Sequence, residues 1–268
     1  MVFGKRCFWL AAIFLLGSKT FSTAQPTPTP TPIPIPPPAK LDGEPGRTTV
    51  GLASDGKHLW ASDPETKTIY RHIGGENWEV KITWDDRQPG PLAWGDSGLW
   101  VVDISNHVIV RFDFDSDSER LSELRTIPIP RAAIREVPSI TGLTWDGHAL
   151  WLSTGCGLCS AFFRIDPGEG EVNQAFFPGC EPRGLAFNHD FGYLWTIAYS
   201  GPYKPALLSM RKISGSPDAV PPSQKFQNFG LGATPPVDPT VIVFHDGLRV
   251  LDRKDGKFVR YDPSSVDP

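Results

Sequence analysis

Apolar residues along this chain come in short runs broken by Asp, Gly, Asn and Pro, and no stretch sustains the 3.6-residue spacing of a helix. One pattern recurs. Leu52-Ala-Ser-Asp-Gly-Lys-His-Leu-Trp60, Leu92-Ala-Trp-Gly-Asp-Ser-Gly-Leu-Trp100 and Leu143-Thr-Trp-Asp-Gly-His-Ala-Leu-Trp151 align directly. Leu185-Ala-Phe-Asn-His-Asp-Phe-Gly-Tyr-Leu-Trp195 and Val241-Ile-Val-Phe-His-Asp-Gly-Leu-Arg249 are the fourth and fifth copies. Each copy is an apolar run, a turn of Asp, Gly or Asn type and a second apolar run, which predicts a β-hairpin.

A third strand follows each hairpin. Arg71, Arg111 and Arg260 lie at one offset after Trp60, Trp100 and Arg249, and Arg164 and Arg211 take the same place after longer loops. A fourth strand is legible where Trp78, Val80, Ile82 and Trp84 alternate with Glu79, Lys81 and Thr83, with weaker counterparts at Leu124 to Ile129 and Val172 to Phe177. The marker position recurs at intervals of 40, 51, 44 and 54 residues, and four strands in such a period are one propeller blade. The pattern predicts an all-β fold, a five-bladed β-propeller with four-stranded antiparallel blades. Only seven residues follow Tyr261, so the last blade is either completed by Ala39 to Arg47 or left three-stranded.

The N-terminal region reads differently. Residues 1–24 form a secretory signal, with Lys5 and Arg6 ahead of the apolar run Cys7 to Ser18 and small residues at Ser22-Thr23-Ala24. Residues 25–40 are a Pro/Thr-rich linker whose alternating prolines predict a polyproline II stalk about 40 Å long. The propeller domain occupies 41–268. The chain is therefore expected to be secreted, periplasmic or on the cell surface, with no membrane span after signal cleavage. Its 26 basic and 30 acidic residues fall to 23 and 30 once the signal is removed, a net charge of −7. Nothing in that balance neutralises phosphates, which argues against a nucleic-acid partner.

The Gly-Leu-x-x-Asp-Gly-x-x-Leu-Trp-x-x-Asp pattern resembles NHL-like and lyase/lactonase-like β-propellers over nearly all of residues 48–263. In blade three, Ile140-Thr-Gly-Leu143 followed by Leu150-Trp-Leu-Ser-Thr-Gly155 and Ser160 resembles the motif of plant-type glutaminyl cyclases, which are five-bladed propellers. In that family the residue before Ser-Thr-Gly is an acid that handles the proton; here it is Leu152, which can neither take nor give one. These likenesses imply either a binding module for a protein or glycan, or an enzyme of lactonase, lyase or cyclase type. The missing acid tilts the reading against catalysis.

Few residues carry chemistry. Cys180 is expected to form a disulfide with Cys156 or Cys159 in an oxidising compartment, the alternatives being a Cys156–Cys159 bridge, a metal or a reactive thiol. The six histidines show no paired ligand spacing, and the acids from Asp113 to Glu119 read as a solvated hairpin loop rather than a calcium loop. Asp63, Asp103 and Asp252 are placed to cap turns. The repeat arginines are expected to ladder between blades or to pair with those aspartates. Propeller ligands sit at the axial mouth formed by blade-to-blade loops, which here supply Arg47, Asp86, Arg87, Arg135, Glu136, Glu181, Arg183 and Asp238. No cofactor is expected; a divalent cation such as calcium, held by these acids, is the alternative. Oligomeric state is left open.

Overall fold

The computed structural model describes residues 48–74, 77–134, 139–155, 160–176, 181–190, 192–199, 207–212, 227–230, 239–252 and 257–261. All lie in the second of two units, Pro37–Pro268. The expected strand Ala39 to Arg47 falls outside them.

Each copy of the repeat folds as an antiparallel hairpin and starts its own sheet. The first sheet is β1 (Gly51–Ser54), β2 (Leu59–Asp63), β3 (Thr68–Gly74) and β4 (Asn77–Thr83), in that order. The second is β5 (Pro89–Gly95), β6 (Gly98–Asp103), β7 (Val108–Asp115) and β8 (Arg120–Pro128). One helical turn, α1 (Arg131–Ile134), follows it. The third sheet is β9 (Ser139–Trp145), β10 (Leu150–Gly155), β11 (Ala161–Ile165) and β12 (Val172–Phe176). The fourth comprises β13 (Glu181–Asn188), β14 (Tyr193–Tyr199), β15 (Leu207–Lys212) and β16 (Gln227–Gly230). Among the described residues the last sheet has three strands, β17 (Pro239–Phe244), β18 (Leu248–Asp252) and β19 (Lys257–Tyr261). The protein is all-β, built in β-propeller fashion of antiparallel sheets, four of which have four strands among the described residues.

Register explains why the first two copies share one length but differ in their turns. Ala53 pairs with Trp60 and Ala93 with Trp100, so the two hairpins are equivalent to that point. Beyond it, the first leaves Asp55 to His58 unpaired, whereas the second pairs Gly95 with Gly98 and turns on Asp96 and Ser97, both at positive φ (53° and 59°). That is a two-residue hairpin whose twist matches its strands.

A sheet of four strands cannot bury both faces by itself, so its apolar positions must meet a neighbour. Among the described residues the buried side chains form five clusters, each spanning two sheets. Trp60 and Ile69 pack with Leu92, Leu99 and Phe112; Trp100, Val102 and Ile109 with Leu143, Leu150 and Leu152. Trp151 and Phe162 pack with Leu185 and Leu194; Ala186, Trp195 and Ile197 with Ile242 and Val250. The fifth cluster joins Leu52, Leu59 and Tyr70 to Val241 and Leu251, last sheet to first. The indoles lie at the centre: Trp60, Trp100 and Trp151 are wholly buried and Trp195 is nearly so.

An aromatic at the end of the next sheet's first strand covers the marker tryptophan. Trp94 stacks on Trp60 (centroids 5.5 Å, 20° between planes) and Trp145 on Trp100 (6.2 Å, 11°). Phe187 and Phe244 occupy the corresponding places beside Trp151 and Trp195. Between last and first sheets this pair is absent, because Arg249 replaces the indole and Ser54 the covering ring. A polar link stands there instead, Ser54 Oγ to His245 Nδ1 at 2.8 Å.

The innermost strands approach closely where glycine stands in the Gly-Leu dipeptide. A Cβ on Gly142 would lie 2.5 Å from the Leu185 nitrogen and 2.7 Å from the Gly184 carbonyl carbon, both backbone atoms of the next sheet. Gly142→Ala is therefore expected to lower unfolding free energy by about 1–3 kcal/mol through overpacking. Chemical denaturation of the variant beside the parent chain checks this, and a loss below a few tenths would show that the strands can part freely.

Candidate functional site

Of the expected mouth residues, Arg47, Arg135, Glu136 and Asp238 lie outside the described residues, as do Cys156, Cys159 and Cys180. The other four are placed. Asp86 is exposed in the connection from β4 to β5. Arg87, beside it, turns back onto its own seam: its guanidinium lies 5.4 Å over the Trp84 ring, 2.9 Å from Glu123 and 3.7 Å from the buried Asp103. Glu181 and Arg183 stand at the start of β13 and pair with each other at 3.5 Å. Two of the four expected residues are thus brought together, while Arg87 is held by partners that the sequence reading did not assign to it.

The described concavities lie at the hairpin ends of the sheets. One recess of about 70 Å³ is lined by the ends of the first strand of every sheet, with Trp94, Trp145, Phe187 and Phe244 around it. Ser54, Thr144 and His189 are its polar members. Burial pulls His189 below its ordinary pKa against the opposing fields of Asp146 and Asp190. His245, just outside, is likewise lowered by burial and then by Arg249, with Asp246 and Asp55 opposing. A second, open groove of about 500 Å³ runs between Asp96, Ser97, Arg111, Asp113, Asp115 and Ser122. The sequence reading missed both features, since it placed ligands at the other end of the sheets.

Of the two arrangements expected for the repeat arginines, pairing with Asp63 or Asp103 is not the one adopted by Arg71, Arg111 and Arg164, whose side chains are described. Asp63 and Asp103 instead accept the amides of Glu65, Thr66, Ser105 and Asn106, the capping role anticipated for them. Arg71, Arg111 and Arg164 stand opposite Trp60, Trp100 and Trp151 across the strand pair, and their partners differ from sheet to sheet; Arg211 does not take the equivalent place expected of it, since it is opposite Leu194 while Trp195 is opposite Met210. Arg71 donates to Glu79 (2.6 Å) on its own sheet and to Glu119 (2.9 Å) in the β7–β8 turn of the next, so here an inter-sheet link does exist. Arg111 is held by Asp96 (2.9 Å) and Asp113 (3.2 Å). Arg164 donates to Asp146 at 2.9 Å. The acids of the Asp113 to Glu119 stretch are thus turn and ion-pair groups: Asp115 accepts from the Asp117 amide and the Ser118 hydroxyl. Among the described residues no three His, Cys, Asp or Glu side chains are grouped to hold a metal ion.

The turn aspartate explains why Asp-Gly recurs before Leu-Trp. Asp146 accepts the amides of His148 (2.8 Å) and Ala149 (2.7 Å), and one of its oxygens also receives Trp151 Nε1 (2.8 Å) and Arg164 Nε (2.9 Å). Asp55 does the same for the Lys57 and His58 amides and for Trp60 Nε1 at 3.0 Å. Burial works to raise both carboxyls, but these donors outweigh it and hold them below the ordinary aspartate value.

No family model matches the chain, and no curated protein matches it. Among solved structures it is similar to glutaminyl cyclase from Myxococcus xanthus, at a TM-score of 0.51 and 12% identity over 77% of this chain and 87% of that one. It is also similar to a catalytically inactive virginiamycin B lyase from Staphylococcus aureus with quinupristin (TM-score 0.46, 16% identity, 80% of this chain). A third likeness is to the nidogen/laminin complex (TM-score 0.49, 14% identity, 81% of each chain). The chain spans 64% of the length of the lyase. At these identities the likeness is one of fold alone, that of a β-propeller, and a shared fold leaves the activity undetermined.

Asp146→Asn removes the charge that gathers two backbone amides, an indole and a guanidinium, and is expected to cost about 1–3 kcal/mol at neutral pH. Because the folded-state carboxyl sits below its unfolded value, its contribution is whole above about pH 4 and fades as pH falls through the lower folded value. Denaturation curves from pH 7 to pH 3 should therefore show parent and variant converging toward the acid end. A constant gap would contradict the assignment.

Proposed function

We propose that the chain is an exported, stalked β-propeller whose five sheets are the five blades of one ring, and that it binds a protein or glycan ligand at one face without transforming it. The five two-sheet cores, including the one between last and first sheets, support the blade count. The signal-like N-terminus and the Pro-alternating tract support export and a spacer. The reading includes a disulfide from Cys180 to Cys156 or Cys159 and a ligand contact region among Arg47, Asp86, Arg135, Glu136, Glu181, Arg183 and Asp238.

One observation carries the preference for binding over catalysis. Leu152, which stands where the cyclase-like motif has its acid, is wholly buried in an apolar cluster with Val102, Ile127 and Leu143. A carboxylate is missing there, and the surroundings would disfavour ionising one. Glu181, a candidate for holding an axial cation, has its charge matched by Arg183. The full chain incubated with an N-terminal Gln peptide is expected to release no pyroglutamyl product, and on an immobilised glycan and protein array to show saturable retention that falls on Glu181→Ala with Arg183→Ala. Cyclisation of the peptide above the spontaneous rate would overturn the binding reading.

A further inference from the structure

The recess at the hairpin ends is bordered by four aromatic side chains, Trp94, Trp145, Phe187 and Phe244, one from the first strand of each of the second to fifth sheets. Trp94 and Trp145 stack on marker tryptophans, yet both, like Phe244, are only partly buried. At about 70 Å³ the recess has room for about five water-sized groups. Charge around it is one-sided. Every hairpin turn carries an aspartate (Asp55, Asp96, Asp146, Asp190 and Asp246), whereas Lys57 is the only lysine or arginine in those turns. Arg111 and Arg164 answer Asp96 and Asp146 from β7 and β11. The carboxylate fields still reach the recess. Burial holds His189, on its wall, below the ordinary pKa, and the charges of Asp146 and Asp190 pull the other way. His245, beside Ser54, is lowered by burial and then by Arg249, with Asp246 and Asp55 opposing and His72 assisting. At neutral pH neither imidazole supplies the cation that these carboxylates favour.

We infer that this recess binds a small free methylated ammonium ion. A trimethylammonium group, a nitrogen with its methyls, is of the size the recess admits. Its methyls replace water against aromatic rings, whose quadrupoles attract a cation, and the turn carboxylates add a longer-range attraction. An unmethylated ammonium is disfavoured, because each of its N–H donors needs an acceptor once it leaves water. The side chains at the recess offer few. Ser54 Oγ is already engaged by His245 Nδ1 at 2.8 Å and by the Gly56 amide at 3.1 Å, which leaves Thr144 as the other hydroxyl on the wall. The same carboxylates repel a phosphate, so the ligand is a free cation rather than a phospholipid headgroup. The recess lies at the opposite end of the sheets from Glu181 and Arg183, and the assignment does not depend on the binding reading above.

The test is calorimetric titration of the full chain with choline chloride, at ionic strength held constant with sodium chloride. Saturable binding is expected. The uncharged isostere of choline, with carbon in place of nitrogen, keeps the shape and loses the charge; ethanolamine keeps the charge and loses the methyls. Each is expected to bind at least about tenfold more weakly. Phosphatidylcholine vesicles are expected not to retain the chain. Phe244→Leu removes one ring while keeping apolar bulk and should weaken choline binding about threefold or more. Asp190→Asn, at an exposed turn position, should weaken it in the same direction and serves if the first variant fails to fold. Choline that does not saturate, an isostere or ethanolamine that binds as tightly, retention on the vesicles, or undiminished choline affinity in the folded variants would each overturn the site.

Discussion

An indole buried between two sheets is the interaction on which the rest of the structure depends. Each marker tryptophan lies on a middle strand of its sheet, with a small residue such as Ala53 or Ala93 opposite it on one side and, for Trp60, Trp100 and Trp151, an arginine on the other, and the next sheet lays an aromatic beside it. Burial of so much apolar area favours the seam, and the offset stacking fixes the sheet's orientation. The indole N–H complicates the arrangement because it must have an acceptor once it leaves water. The turn aspartate provides one in the first and third sheets, and the same carboxylate closes the turn. Core, turn and arginine are thereby tied to a single group.

The seam between last and first sheets is built differently. Arg249 stands where the other copies have tryptophan, and its Nε donates to the His245 carbonyl at 3.0 Å rather than to a turn carboxylate. Ser54 meets His245 across the seam, while Leu52, Tyr70, Val241 and Leu251 still form an apolar core. A hydrogen bond between side chains contributes less than a stacked indole pair that also buries its area. Among the described residues the contact between last and first sheets thus rests on apolar packing and the Ser54–His245 contact rather than on a stacked indole.

The second sheet makes the opposite exchange. Gly95 in the place of Asp55 leaves room for the Trp145 ring, which stacks on Trp100, and leaves the Trp100 N–H without a turn carboxylate. In a repeat protein a departure from the common pattern is readable against its neighbours, since equivalent positions share geometry.

Hairpin positions, the third-strand arginines and the fourth strand at Trp78 to Trp84 were legible in the chain because strand alternation and the recurring Leu-Trp are local signals. The capping roles of Asp63 and Asp103 were legible for the same reason, as Asx turns are formed within a few residues. Arginine partners were not. Glu119 lies 48 positions from Arg71, and only the packing of one sheet's turn against the preceding sheet brings them together. The hairpin-end recess was equally hidden, since it is assembled from one strand end of every sheet. Sequence alone determined the all-β architecture and the repeating unit, through hydrogen bonds and turns that close over short distances. Which charges meet, which donors are left over and where the surface is concave were decided by tertiary structure, because those depend on register between strands and on how neighbouring sheets abut.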